Sequence, residues 1–317
     1  MGSVRRNHSG VPVIAGRFLL RERLGRGSVA EVFRAVDMAG GPDVAVKVAA
    51  DNTAKQHQRI RNEARVLASL RHPSIVRYID QGVMPAGTYR PGHAFLVEEL
   101  ALGTSLSEAV RSDRHSADAV AGWARSMFSA LAHLHAAGLV HRDIKPGNLM
   151  LSGLRRSPVR VIDFGIAAVA GTAPEPGISS GTVHYMSPEQ AAGGVADPSW
   201  DVYAMGLVLL ELLTGSKAFP GTAVESLVAR TLRSPSIPES LGPRWHHFLS
   251  SLTAMEGGER PTADIASAMA ARLVPSGSGR LNNSARCPAA SAGSSRGGVR
   301  ASAAAVQGAG AVRGHRC

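Results

Sequence analysis

Cysteine is almost missing from this chain. Its two cysteines, Cys287 and Cys317, both lie near the C-terminal end, so no disulfide framework can staple the body. That usage predicts a reducing, cytoplasmic setting. Long apolar runs are missing too. The longest, Val202 to Leu213, is interrupted by Glu211, whereas a bilayer-spanning helix needs ~20 residues. It predicts a buried helix and no membrane span. The apolar stretch after Arg5 and Arg6 is too short for a secretory leader. Arg6 stands where the myristoylation pattern needs Ser or Thr. Acidic residues are absent from Val274 to Cys317, and so are aromatics. The six arginines of that stretch therefore lack the stacking platforms that single-stranded nucleic acid favours.

What is present suits a globular protein. With 317 residues, a length prior of about 150 per domain gives roughly two units, enough for a real core. The formal net charge of +11 invites a polyanion partner, but much of it sits at the two ends. Arg outnumbers Lys, and Ala and Gly are abundant. Coding bias explains that without nucleic acid, which is not expected as a partner.

Residues 1–16 are polar and punctuated by Gly and Pro, and predict a flexible leader. From Arg17 to Val48 short apolar alternations predict strands. Ile60, Ala64, Leu67 and Leu70 then follow helical spacing, closed by His72-Pro73. Ile75–Ile79 and His93–Glu99 are further strand candidates. From Ser116 to Ala137 an amphipathic helix is predicted, with Ser116 as N-cap and Gly138 at its C-terminal end. Helical patterns dominate from Asp201 to about Leu273. The expected fold class is α+β: a small β-rich lobe over about 17–100 and a larger α-helical lobe over about 101–273. Residues 274–317 are rich in Ala, Ser, Gly and Arg, without periodicity, and predict a disordered tail.

Three motifs carry chemistry. The first is Leu24-Gly25-Arg26-Gly27-Ser28-Val29-Ala30-Glu31-Val32. Such a loop lets backbone N–H groups approach phosphate, though alone it is usually just a turn. A dinucleotide-binding fold would continue as a helix; here a strand follows, ending Val44-Ala45-Val46-Lys47. A lysine buried in an apolar strand needs a charge partner, and Glu63 is the candidate. The second motif, His141-Arg142-Asp143-Ile144-Lys145-Pro146-Gly147-Asn148, concentrates ionisable groups in an apolar setting. The third is Asp163-Phe164-Gly165. Asp143, Asn148 and Asp163 supply hard oxygen ligands suited to Mg²⁺.

In this order the motifs resemble those of the protein kinases, and most closely the eukaryotic-type serine/threonine kinases of bacteria. The resemblance covers roughly Arg17 to Leu273, including Gly181-Thr182-Val183-His184-Tyr185-Met186-Ser187-Pro188-Glu189-Gln190. It implies transfer of the γ-phosphate of ATP to protein Ser/Thr hydroxyls, with autophosphorylation and, for that purpose, pairing of two copies as a homodimer. Lys47 would hold the α- and β-phosphates and pair with Glu63. Asp143 would orient the acceptor hydroxyl and Lys145 would touch the γ-phosphate. Asn148 and Asp163 would bind Mg²⁺, with Mn²⁺ as a substitute.

The resemblance also implies a base site between the lobes. Leu24, Val32 and Ala45 form its roof, Met150 its floor, and the backbone of Glu99 and Ala101 its hinge contacts. Gly25 and Gly27 would cover the phosphates. Arg142 would meet an activation-loop phosphate, for which Thr172, Ser179 and Ser180 are candidates; Glu175 is an alternative standing charge. Thr182 would help seat the acceptor hydroxyl. Glu189 and Arg260 would form a structural ion pair.

Two departures stand out. Ala30 replaces the loop's third glycine. Glu98 falls at the gatekeeper position, where an apolar residue or Thr is usual, unless the Glu98-Glu99 tandem shifts the alignment by one. A pseudokinase or nucleotide-binding scaffold is the alternative function, but it would need one of these catalytic residues to be absent. Small-molecule phosphotransferases of the aminoglycoside type usually show H-G-D in place of His141-Arg142-Asp143.

Overall fold

The computed structural model describes residues 13–27, 29–112, 115–154, 157–172 and 182–274. The N-terminal alternations become antiparallel strands β1 (Val13–Ile14), β2 (Phe18–Arg26), β3 (Ala30–Asp37) and β4 (Val44–Ala49). With β5 (Tyr78–Val83) and β6 (Ala94–Glu99) they form one sheet in the order β1-β2-β3-β4-β6-β5. Val13 and Ile14 are buried and pair with Leu19 and Phe18. The sheet thus begins ahead of Arg17, within the stretch read from composition as a leader. The strand expected from Ile75 begins instead at Tyr78. The backbone of Ser74 and Val76 is spent on Val161, and Ile75 makes a parallel bridge to the same residue.

Strand alternation sorts side chains onto two faces. Phe33, Val44, Val46, Val48, Phe95 and Val97 pack with Ile14 and Phe18 on one face. Val32, Ala45, Lys47, Leu96 and Glu98 share the other, because Val32 opposes Lys47, Lys47 opposes Leu96, and Ala45 opposes Glu98. Helix α1 (Ala54–Ser69) covers that second face, burying Ile60, Ala64 and Leu67 beside Ala49 and Leu96. The hydroxyl of Thr53 caps it by accepting from the Gln56 amide.

The second lobe begins with β7 (Thr104–Ser105) and α2 (Leu106–Ser112). Helix α3 (Ala117–Ala136) starts at the expected cap, Ser116, and Gly138 follows its end in the left-handed region at φ 72°. Strands β8 (Leu139–Val140), β9 (Leu149–Leu154), β10 (Ser157–Val161) and β11 (Ala168–Val169) build two small sheets, β10-β9-β7 and β11-β8. Helices α4 (Pro188–Ala191), α5 (Pro198–Thr214), α6 (Ala223–Leu232), α7 (Gly242–Leu252) and α8 (Ala263–Leu273) complete it. The apolar run of α5 is buried around its circumference and packs against α3 and α7. The result is the expected two-lobed α+β architecture, joined between β6 and β7.

Candidate active site

Apolar anchors set the loop after β8. Ile144 and Leu149 are buried in the core, which leaves the polar residues between them turned to the cleft. Its backbone is held from below by Asp201, near the start of α5. That carboxylate accepts from the amides of His141 at 2.8 Å and Arg142 at 2.9 Å, and from His135 Nε2 at 2.9 Å. Burial works against its charge, but these donors hold it below the ordinary carboxylate range. Arg142 takes φ 65°, a conformation costly for a side chain of its kind. Its guanidinium donates to the Ile166 carbonyl at 2.5 Å, tying the loop to the segment after Asp163.

On this platform Lys145 Nζ donates to both oxygens of Asp143, at 2.7 and 2.9 Å. Asn148 Nδ2 donates to the carbonyl and to a carboxylate oxygen of Asp143, each at 2.9 Å. Both amide hydrogens of Asn148 are therefore used, and its carbonyl oxygen remains an acceptor.

The opposite wall comes from the β-rich lobe. Lys47 Nζ donates to Glu63 Oε1 and to Asp163 Oδ1, each at 2.7 Å. Burial alone would depress Lys47; Asp163 and Glu63 more than reverse that and hold it well above the ordinary ammonium range. Asp163 is opposed by burial but pulled down to about 2 by Lys47. Burial lifts Glu63, with Lys47 working against the rise and Asp163 adding to it. The pattern is a charged ammonium between two carboxyls, 16 and 116 residues away in the chain.

Asp163 sits at φ 61°, and buried Phe164 locks the turn with its ring 4.8 Å from that of His141. Gly165 sits in a tight corner. A Cβ there would lie 3.1 Å from Asp163 Oδ1 and 3.3 Å from Glu63 Oε2. Both contacts of Asp163 with Lys47 and Gly165 use the same oxygen, Oδ1, and the side chain is 42% exposed. The other oxygen is therefore open to a ligand.

The expected base site can be traced residue by residue. Gly25 pairs with Val32 across the hairpin, and the Gly27 amide donates to the Ala30 carbonyl at 2.9 Å. Leu24 is 50% exposed, Val32, Ala101 and Met150 are partly buried, and Ala45 is buried. Apolar surface therefore remains uncovered between the lobes. The tandem glutamates separate cleanly. Glu98 faces the cleft side with Lys47, whereas Glu99 turns away to Arg160, at 2.6 and 2.9 Å, and to Arg77 at 3.2 Å. Glu98 is therefore the inward residue, and the one-residue shift is not needed.

Glu189 meets Arg260 at 2.7 Å; Arg260 also donates to the carbonyls of Ala254, Met255 and Ser199. Thr172 is exposed and its hydroxyl donates to the Val169 carbonyl at 2.7 Å. Thr182 opens a short 3-10 turn, Thr182–Tyr185. Glu175, Ser179 and Ser180 lie outside the described residues. Asp201 was absent from the expected site. Its signal was a second acid at the head of an apolar helix, after the N-cap Asp197, a position that favours an acid for the helix dipole alone.

A family model described as protein kinase domain matches residues 18–271. The chain belongs to the protein kinase family. Among curated relatives, this kinase is 33% identical over 266 residues to the serine/threonine-protein kinase PknL of Mycobacterium tuberculosis, covering 80% of this chain and 64% of that protein. It is 34% identical over 282 residues to PknA of the same organism, covering 83% and 63%. With PrkC of Bacillus subtilis it shares 34% over 244 residues, covering 72% and 36%. The chain thus spans a little under two thirds of the mycobacterial relatives and a smaller share of the third.

Members of the family use ATP and a divalent metal ion, and act on proteins. The residues here fit both ligands. Among the described residues no three His, Cys, Asp or Glu side chains could hold a metal by themselves. Asn148 and Asp163 offer two oxygens, a set that suffices when phosphate oxygens complete the shell. No helix among the described residues is long and apolar enough to cross a membrane.

Proposed function

We propose that this kinase transfers the γ-phosphate of ATP to serine and threonine hydroxyls of protein substrates, and to its own chain. The observation that carries the reading is Lys47 held 2.7 Å from both Glu63 and Asp163, across the cleft from the Asp143, Lys145 and Asn148 cluster. The relatives' names support the serine/threonine class.

Phosphoryl transfer needs positioning and charge neutralisation more than covalent chemistry. Lys47 binds the α- and β-phosphates, its charge secured by two carboxyls. Lys145 binds the γ-phosphate. Asp143 orients the acceptor hydroxyl and takes its proton. Asn148 and Asp163 would hold Mg²⁺, or Mn²⁺ in its place, which would supply charge neutralisation at the phosphate oxygens. Leu24, Val32, Ala45 and Met150 enclose the base, Glu99 and Ala101 meet it through the backbone, and the turn at Gly25 and Gly27 covers the phosphates. Arg142 pairs with an activation-segment phosphate on Thr172, Ser179 or Ser180, and Thr182 seats the acceptor. Autophosphorylation between two copies makes a transient homodimer part of the proposal, and the cysteine-free body suits a cytoplasmic setting.

The test is incubation with labelled ATP, magnesium and a generic basic protein, over a range of chain concentrations. Asp143→Asn is expected to lose at least about 10²-fold in transfer rate, as general-base removal does. Equal rates for the native chain and the Asp143→Asn variant would overturn the assignment, because only the native chain carries the base. Phosphosite mapping of the active chain is expected to place phosphate between Asp163 and Glu189; full activity without it removes the phosphate partner of Arg142.

A further inference from the structure

Glu98 is a buried carboxyl in the cleft that the transfer machinery does not use. It opposes Ala45 of β4 and stands two residues from Leu96, on the face of the sheet that carries Lys47. The residue is 8% exposed, and its Oε2 is buried with no hydrogen-bond partner among the described residues. The cation facing it is already committed: Lys47 gives its bonds to Glu63 and Asp163. Glu63 from α1, Asp163 from the turn after β10, Lys47 from β4 and Tyr78, opposite on β5, are the titratable groups around it. None of them donates to Oε2. Leaving a buried acceptor unpaired is costly, and an apolar side chain at this position would avoid that cost.

An unpaired acceptor beside the base site calls for a donor on the ligand. An exocyclic amino group on a purine carries two hydrogens. The hinge carbonyl at Glu99 can take one, and Glu98 is its immediate neighbour. We propose that Glu98 is a nucleobase-selecting residue, whose free carboxyl oxygen accepts a hydrogen bond from the exocyclic amine of a 6-aminopurine nucleotide. This rests on the reading of the cleft as an ATP site. It adds that base choice here is made by a side chain as well as by hinge backbone.

The experiment compares the magnesium complexes of ATP and purine riboside triphosphate, which keeps the ring and phosphates but lacks the amine. Affinities are measured for the native chain, Glu98→Gln, Glu98→Met and Glu98→Thr, each checked by thermal unfolding. The native preference for ATP is expected to fall about tenfold in the Met variant, the loss of one strong hydrogen bond. The Gln variant keeps an acceptor oxygen and retains most of the preference. The Thr variant, too short to reach, behaves like Met and keeps the comparison open if Met disturbs folding. An unchanged preference in the Met or Thr variant overturns the proposal while leaving the ATP site intact. Failure of all chains to bind either nucleotide overturns the ATP reading and this proposal with it.

Discussion

Asp201 holds three donors at once, two of them backbone amides of the loop that carries Asp143. Removing the carboxylate leaves buried N–H groups without partners, each costing about 1–3 kcal/mol. Asp201→Ala is therefore expected to destabilise the chain by about 3 kcal/mol or more, read as a lowered unfolding temperature, with transfer activity falling alongside. A variant as stable and as active as the native chain would show that the loop is held some other way. Lys47, Glu63, Asp143, Lys145, Asn148 and Asp163 could all be named as candidates from the sequence, because their motifs, in this order, resemble those of the protein kinases. Asp201 was not visible: its work is backbone hydrogen bonding, which any acid could do and no motif announces. The inward setting of Glu98 also required the register, since a tandem of glutamates offers either residue to the cleft.

At the level of elements, local signals were strong where helix caps and apolar spacing agreed. Helix α3 begins after the Ser116 cap and ends before Gly138, as its pattern predicts. The start of β5 was misplaced because Ser74 and Val76 spend their backbone on Val161, a partner far along the chain that no local pattern reveals. The exit from the hinge depends on Gly103. It sits at φ 130°, and a Cβ there would fall 1.7 Å from the Leu151 carbonyl oxygen. Backbone cannot yield as a flexible side chain would. Gly103→Ala is expected to cost at least about 3 kcal/mol, measured by chemical denaturation. A loss under about 1 kcal/mol would mean that β7 and β9 separate easily.

At the scale of the whole molecule, stability should respond to pH through the cleft. Burial first, and then the charge of Glu63, push Glu98 up to about 8 from an unfolded value of 4.5. The folded chain therefore binds this proton more tightly than the unfolded chain. Its contribution to stability is complete below about 4.5 and is lost as pH rises through about 8. Asp163 runs the other way, contributing above 3.8 and losing that contribution as pH falls through about 2. Thermal unfolding of the native chain is expected to show a decline between about pH 5 and about pH 8 that Glu98→Met flattens. Identical slopes in the two chains would place the cause elsewhere.

The amino-acid order by itself determined the family, the two-lobed α+β plan and the candidates for handling phosphate. The plan follows from local rules, strand alternation and helix caps; the family and the phosphate candidates follow from motifs that resemble those of the protein kinases. Only the tertiary structure decided which groups meet. It brought Asp163 to Lys47 across 116 residues, put Asp201 beneath the loop, and turned Glu98 inward and Glu99 outward. Such pairings depend on strand register and on the packing of α1 and α5, which arise from burial summed over the whole core and leave no mark at any single position.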